Sequence, residues 1–493
     1  MEKKKNGFAS GIGFVLSAAG SAIGLGNLWA FPAKTAQNGG AAFVFMYIIC
    51  VLVIGFVTML AEFHIGRRAA ANPVSAYKKI HKNVGWFGLV GVVIPAFIIC
   101  YYSVLGGYTV KFTLNSFSGN DGILAGFSSN VGEVILFTAI FMVLAVITIM
   151  GGVKGGIEKM SKVLMPILFL ILVGVAVYSL CLGERVREGL NFYLNPDFSE
   201  VGFDSVLAAM GQAFFSLSLG MGTMIAYGSY TGREINIVKS TGMICLFDTF
   251  VALLSGLAIF PAVAHFDPTL LNGDARGLGL MFGILPDVFA SMGTVGLIVS
   301  FLFFAMVAIA ALTSVVSLVE VVTQFIIQRF KVDRRRAALG VAAVCFAISI
   351  PVGISLGYAV NEIDKMTLGG LNLLDFFDEV TNAVLMPVCA FFACLAIGWM
   401  IGPKTAMNEI EASGTPLGFL RRIWPVMVRF VTPALILIVE IGGVVEKISK
   451  GRWLVVLTAY LLLGAAALAY FLFFKNTDTG TNADEVEHTA AAE

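Results

Sequence analysis

Charge is scarce in this chain. Of its 493 residues only 13% are Asp, Glu, Lys or Arg, whereas 58% are hydrophobic and the mean hydropathy is +0.90. Soluble domains carry about 25% charged residues, so the composition excludes a water-soluble globule and predicts a polytopic membrane protein. An excess of either sign is also missing: 32 basic and 31 acidic residues leave a net charge of +1. The cations are scattered through short loops, which argues against nucleic acid as a partner. Histidine is rarer still. His64, His81, His265 and His488 are dispersed over predicted loops and helix ends, and Cys50, Cys100, Cys181, Cys245, Cys345, Cys389 and Cys394 lie in apolar runs without CxxC spacing. Neither a zinc site nor a disulfide framework fits that pattern, and the cysteines read as small core residues. A membrane enzyme would need an intramembrane nucleophile, a metal cluster or paired carboxylates; the sequence offers none. A cleavable signal is not expected, since Met1-Glu2-Lys3-Lys4-Lys5 leads into an apolar segment too long for a signal core.

What the chain has instead is a series of apolar runs of about 20 residues or more, enough to cross a ~30 Å hydrocarbon core as helices. Roughly twelve can be drawn, at 10–38, 41–66, 86–116, 133–151, 163–183, 204–230, 239–264, 292–328, 337–357, 371–402, 422–444 and 453–474. With a cytoplasmic N-terminus, the inner loops collect Arg67, Arg68, Lys78, Lys79, Arg233, Arg334, Arg335, Arg336, Arg421 and Arg422 among others. The outer loops keep mainly Arg185, Arg187, Arg276, Lys365, Lys447, Lys450 and Arg452. This bias places both termini in the cytoplasm and the protein in the plasma (inner) membrane. The outer segment 265–292 has short amphipathic pieces that suggest a helical lid, and the polar tail from about Asn476 is expected to be disordered.

Two of the spans are interrupted by the same small pattern, Gly24-Leu25-Gly26-Asn27 in the first and Gly220-Met221-Gly222-Thr223 in the sixth. In a bilayer every backbone N–H and C=O needs a partner, so a helix unwinds only where the freed groups face protein or a wet cavity. A lone glycine motif is often only a close helix contact. Two of them, with Asn27, Ser216 and Ser218 alongside, predict a polar site at membrane depth. Spans 1–5 and 6–10 form two groups of five, each opening with a broken helix. The odd number inverts the second group relative to the first and brings both breaks to the midplane, the inverted-repeat plan of secondary transporters.

Ala18-Ala19-Gly20-Ser21-Ala22-Ile23-Gly24-Leu25-Gly26-Asn27-Leu28-Trp29, followed by Phe31-Pro32 and Asn38-Gly39-Gly40, resembles the first-helix signature of the neurotransmitter:sodium symporter family. Gly211-Gln212-Ala213-Phe214-Phe215-Ser216-Leu217-Ser218 looks like its sixth helix and Ala310-Ala311-Leu312-Thr313-Ser314 its eighth. With Tyr101-Tyr102 and Glu62, the similarity spans about residues 8 to 400. The resemblance implies a bacterial member with an all-α, LeuT-like fold of twelve transmembrane helices, helices 1 and 6 unwound. Residues 1–9 would form an N-terminal cytoplasmic segment and 10–402 the transporter core, with repeats at about 10–183 and 204–402. Residues 403–475 would add two further helices, and 476–493 the tail.

The same resemblance implies sodium-coupled uptake of an amino acid and assigns residues to it. One sodium would take the Ala22 carbonyl, Asn27, Ser216, Asp248 and the substrate carboxylate. The other would take the carbonyls of Gly20, Ile23 and Ala310 with the hydroxyls of Thr313 and Ser314. Hard cations prefer such oxygen sets. Some relatives hold chloride with a tyrosine, a glutamine and two serines. Here Tyr47, Gln212 and Ser216 match but Ala252 replaces the second serine, and Asp248 would supply the negative charge, so no chloride requirement is expected. The Leu25 and Gly26 amides and the Tyr102 hydroxyl would seat the substrate carboxylate, with carbonyls around Phe215, Ser216 and Ser218 receiving the ammonium. Gly24 stands where amine-carrying relatives have an acid, which favours a ligand with its own carboxylate. Ala22, Ile98, Phe215, Met221, Ser218, Ser314, Ser317 and Leu318 would line a pocket for a neutral, hydrophobic side chain. Of the family's gates, Phe215, Tyr102, Ser229 and Tyr230 are kept. Phe8 and Lys5 occupy the places of Trp and Arg, Gln328 replaces an acid, and Ala30 with Asp375 leaves no outer ion pair. An amino-acid-gated channel or sensor of the same fold, and a symporter for another small carboxylated zwitterion, are the alternatives.

Overall fold

The computed structural model describes residues 7–183, 185–272, 278–412, 414 and 417–476. Ten helices are each long and apolar enough to cross a membrane: Ala41–Ala69, Gly85–Ser118, Val131–Met150, Val153–Leu180, Ile237–Phe266, Gly293–Phe330, Arg334–Val360, Leu373–Ile401, Leu420–Ser449 and Trp453–Phe474. The bent pair Gly11–Ala22 and Gly26–Gln37 makes an eleventh span. The remaining expected span, the sixth, is present as two short helices, Phe203–Ser216 and Thr223–Ser229. Neither piece reaches across the hydrocarbon at 1.5 Å per residue. The all-α reading is met apart from a two-residue hairpin, Thr367–Leu368 with Leu371–Asn372, turned by Gly369 and Gly370 ahead of span 10.

Depth within the bundle follows the sequence pattern. Span 3, Gly85–Ser118, buries 83% of its most apolar window, whereas span 12, Trp453–Phe474, buries 22%. An apolar helix with little buried surface faces lipid. Spans 2 and 6 touch main chain to main chain: a Cβ on Gly66 would meet the Ile225 carbonyl, and one on Gly228 the Phe63 carbonyl. Of the seven cysteines six are buried as expected, but Cys181 is exposed where span 5 has just ended. His64 lies inside span 2 and is buried, not at a loop. The outer segment carries the helices Gly279–Ile284 and Leu285–Ser291, as the lid reading requires, while its residues 273–277 lie outside the described residues.

Both breaks fall where the glycine patterns put them. The first helix starts at the cap of Ser10, whose hydroxyl accepts from Gly13 N at 3.0 Å, and stops at Ala22, after which Ile23 turns extended (φ −72°, ψ 99°). The chain resumes as a wide π turn from Gly26, bent by 48°. In the second break Ser218, Gly220 and Gly222 take φ of 52°, 71° and 70°. A left-handed serine is strained by about 1–3 kcal/mol and persists only if its surroundings hold it. Here its hydroxyl donates to the Ser21 carbonyl at 2.9 Å, tying one break to the other.

Candidate functional site

Asp248 sits in mid-span 7, with no exposed surface, rather than at a helix end. Asn27 Nδ2 donates to its Oδ1 at 2.8 Å, and the Tyr47 and Ser216 hydroxyls donate to Oδ2 at 3.0 Å each. Four spans thus converge on one carboxylate. Because Asn27 spends its amide N–H groups on Asp248, its Oδ1 is turned back to the break, where it accepts from Gly24 N at 3.3 Å. The Asn27 amide and the Asp248 carboxylate are thereby fixed in one buried polar cluster between spans 1, 2, 6 and 7. Gln212 is directed elsewhere: its Nε2 donates to the Gly26 carbonyl at 2.7 Å and braces the first break.

Of the second expected set, the structure joins Ser314 to Ile23 across two spans. Ser314 Oγ reaches the Ile23 carbonyl at 3.5 Å and the Ser21 carbonyl at 3.1 Å, joining span 8 to the end of the first half-helix. Thr313 Oγ1 donates back to the Ala310 carbonyl at 3.0 Å, the bond a hydroxyl makes in any apolar helix. Gly20 lies one turn before Ile23, against Met165 and Ser161 of span 5.

Between the breaks lies a cavity of about 20 Å³ lined by Ser21, Ala22, Gly24, Gly26, Ile98, Tyr102, Phe215, Ser218, Met221, Ser314 and Leu318. All the expected substrate contacts line it except Leu25, Ser216 and Ser317. Leu25 N donates to Tyr102 Oη at 2.9 Å, so the tyrosine accepts from the break and its own proton is directed onward. A Cβ on Gly24 would strike Ser314 and Tyr102, and one on Gly26 would crowd Phe215 at 3.3 Å. Both glycines are there because the backbone forms a wall. One wall is more polar than the sequence suggested: Ser21 Oγ and Ser317 Oγ lie 2.6 Å apart, with Ser218 Oγ 3.5 Å from Ser21 Oγ.

On the outer side Phe215 forms the floor of a vestibule of about 440 Å³ whose rim carries Lys34, Asp375, Asp378, Glu379 and Arg452. Asp375, the expected gate carboxylate, is exposed and accepts from Asn372 Nδ2 at 2.7 Å at the start of its helix. Glu379 is bound by Lys447 at 3.2 Å and by Arg452. Asp378, one turn further along the helix, lines the same vestibule as Lys34 and accepts from Asn382 Nδ2. Ala30 offers Asp375 no charged partner, and among the described residues no ion pair joins Lys34 to Asp375 or Asp378.

On the inner side aromatic packing surrounds the start of the first helix, beside a cavity of about 440 Å³ lined by Tyr230, Gln324, Gln328 and Arg334. Phe8 is buried and its ring packs on Phe14, Tyr227 and Tyr230 at centroid distances of 5.3, 5.6 and 6.5 Å. Lys5 lies outside the described residues. Tyr230 Oη donates at 2.6 Å to Glu320, which also pairs with Arg334 of span 9. Ser229 accepts from Gln324 at 2.8 Å, and Gln328 accepts from Asn72 at 2.7 Å. Glu158 of span 5 accepts from Ala9 N at 2.7 Å and pins the entry to the first helix.

The model of the Sodium:neurotransmitter symporter family matches residues 5–123 and 122–453, nearly the whole described chain. The chain belongs to this family. The uncharacterised sodium-dependent transporter YhdH of Bacillus subtilis (strain 168) is 35% identical over 454 residues, 89% of this chain and 97% of its own. Sodium-dependent nutrient amino acid transporter 1 of Drosophila persimilis is 25% identical, over 90% of this chain and 75% of its own. The crystal structure of MhsT in complex with L-phenylalanine superposes with a TM-score of 0.81 at 36% identity, covering 89% of this chain and 100% of that one. As a multi-pass member of this family, the chain groups with proteins named as sodium-dependent transporters.

Within this symporter, three residues carry contacts that the sequence did not single out. Ser21 bridges both breaks but lies in a run of small residues that reads as packing. Glu320 has a visible signal, a carboxylate in an apolar run, yet its partner Arg334 is on another span and no spacing rule connects them. Glu62 was noted only as part of the resemblance. Buried in span 2, it accepts from Gly220 N at 2.9 Å and holds the second break open.

Proposed function

We propose that this symporter imports a neutral, hydrophobic amino acid with two sodium ions by alternating access, without chloride. The observation that carries this reading is the convergence of Asn27, Tyr47 and Ser216 on the buried Asp248 carboxylate directly behind the two helix breaks. A fixed anion there lowers the energy of a neighbouring sodium ion and makes a mobile anion redundant. One sodium would be held by Ala22, Asn27, Ser216 and Asp248, the other by Gly20, Ile23, Ala310, Thr313 and Ser314. The substrate carboxylate would rest against Leu25, Gly26 and Tyr102. A cavity of about 20 Å³ holds little more than one water. A bulky side chain therefore enters only as Met221, Leu318 and Ile98 repack, and methionine adapts readily. The complex of MhsT with L-phenylalanine supports a substrate of that size. Phe215 with Lys34 and Asp378 would close the outer side, and Phe8, Tyr230 and Glu320 the inner.

Uptake of labelled amino acids into proteoliposomes tests this. Leucine-like and aromatic substrates should accumulate only with an inward sodium gradient, equally in chloride and gluconate. Ungraded, passive flux would mark a channel, and binding without flux a sensor; either defeats the importer reading.

A further inference from the structure

Away from the transport path, a guanidinium stands on the lipid-facing flank of the bundle with no acid to meet it among the described residues. Arg429 of span 11 is exposed and lies over the ring of Trp399 of span 10 at 4.5 Å and over Phe430 at 5.5 Å. Trp399 and Phe430 are themselves 55% and 54% exposed, and Val426 and Met400 beside them are exposed as well. The two helices approach closely here, since Gly398 leaves the Arg429 Cα within 3.0 Å of where a Cβ would stand, and Trp399 Nε1 donates to the Arg429 carbonyl at 3.2 Å. That bond anchors the arginine backbone while its side chain, among the described residues, has no hydrogen-bond or ion-pair partner. Arg422, two turns nearer the start of the helix, is likewise exposed and unpaired among them, whereas its neighbour Arg421 is neutralised by Glu411.

The level of this site in the membrane follows from Trp399. It lies two residues before span 10 ends at Ile401, and exposed tryptophan at a span end marks the headgroup boundary. A guanidinium at that level has five N–H donors to satisfy, in a fork that matches phosphate oxygens. The aromatic rings and the apolar flank supply room for acyl chains.

We propose that Arg429, cradled by Trp399 and Phe430 and assisted by Arg422, binds the headgroup phosphate of an anionic phospholipid in the leaflet where span 10 ends. The lipid braces spans 10 and 11 against each other at their paired π turns, Ala396–Ile401 and Met427–Val431.

Native mass spectrometry of the full chain in detergent with equal phosphatidylglycerol and phosphatidylcholine tests this. Wild type should retain the anionic lipid in preference, by roughly fivefold per guanidinium. Arg429→Gln should lose most of that preference and Arg422→Gln part of it, while Arg336→Gln, whose native side chain is paired with Asp333, should keep it. Excess inorganic phosphate should not displace the lipid. Absence of any preference in wild type, its survival in Arg429→Gln, or displacement by free phosphate would each overturn the site. Should Arg429→Gln fail to fold, the wild-type preference and the Arg422→Gln comparison still decide.

Discussion

At the scale of the residue, Asp248 concentrates the chemistry. A unit charge about 4 Å from another is worth roughly 4 kcal/mol at an effective dielectric of 20. Removing it should therefore cost sodium affinity more than any neighbouring substitution that keeps the charge. Asp248→Asn retains the shape and one acceptor for Tyr47 and Ser216, so the fold should survive. The expected outcome is a rise of at least about tenfold in the sodium concentration for half-maximal uptake, a loss of 1.4 kcal/mol, with chloride restoring part of it. Sodium titration of uptake in chloride and in gluconate reads both effects. An Asn variant with wild-type sodium response, indifferent to the anion, would take Asp248 out of the ion site. This residue was legible because a carboxylate in an apolar run is conspicuous. Lys34 was not, since its place in the same vestibule as Asp375, Asp378 and Glu379 depends on how the bent first helix meets span 10, a geometry that no local pattern encodes.

At the scale of the element, the two broken helices were legible to within a few residues because glycine has one physical use at such positions. Gly220 shows it: at φ 71° an L side chain is strained by about 1–2 kcal/mol, and a Cβ would also meet the Met386 carbonyl of span 10. Gly220→Ala should therefore destabilise the protein by about 2–4 kcal/mol and remove sodium-dependent binding, as the Glu62 bond to Gly220 N shifts. Gly211, in the intact half of the same span, has open space where a Cβ would go. There Gly211→Ala should stabilise by about 0.5–1 kcal/mol and leave binding unchanged. Thermal unfolding of both variants, with and without sodium, compares them directly. Equal effects would mean that the break needs no glycine. The extents of the breaks were less legible than their existence: the π turn from Gly26 to Ala30 follows from packing against Gln212 and Phe215, which sequence periodicity does not register.

At the scale of the whole molecule, the spans were readable from apolar run length and the two breaks from their glycines, but which faces meet was not. Spans 3 and 12 have the same mean hydropathy, 2.2, while one is central and the other peripheral. That arrangement decides function through coupling: if two sodium ions bind beside the substrate at the breaks, neither can cross without it. Each ion moving down a tenfold gradient yields about 1.4 kcal/mol, and 100 mV adds about 2.3 kcal/mol per charge. Two ions then supply roughly 7 kcal/mol, enough for on the order of a 10⁵-fold substrate gradient. With the potential clamped to zero the relation is sharper still. The substrate ratio at equilibrium should grow as the square of the sodium ratio, so a tenfold sodium gradient sustains about a hundredfold accumulation. Proteoliposomes brought to the point of no net flux at several sodium ratios measure that exponent. A value near one would leave only one of the two oxygen-lined sites coupled to transport, and the Thr313–Ser314 set, whose threonine bonds back to its own helix, would be the one to drop.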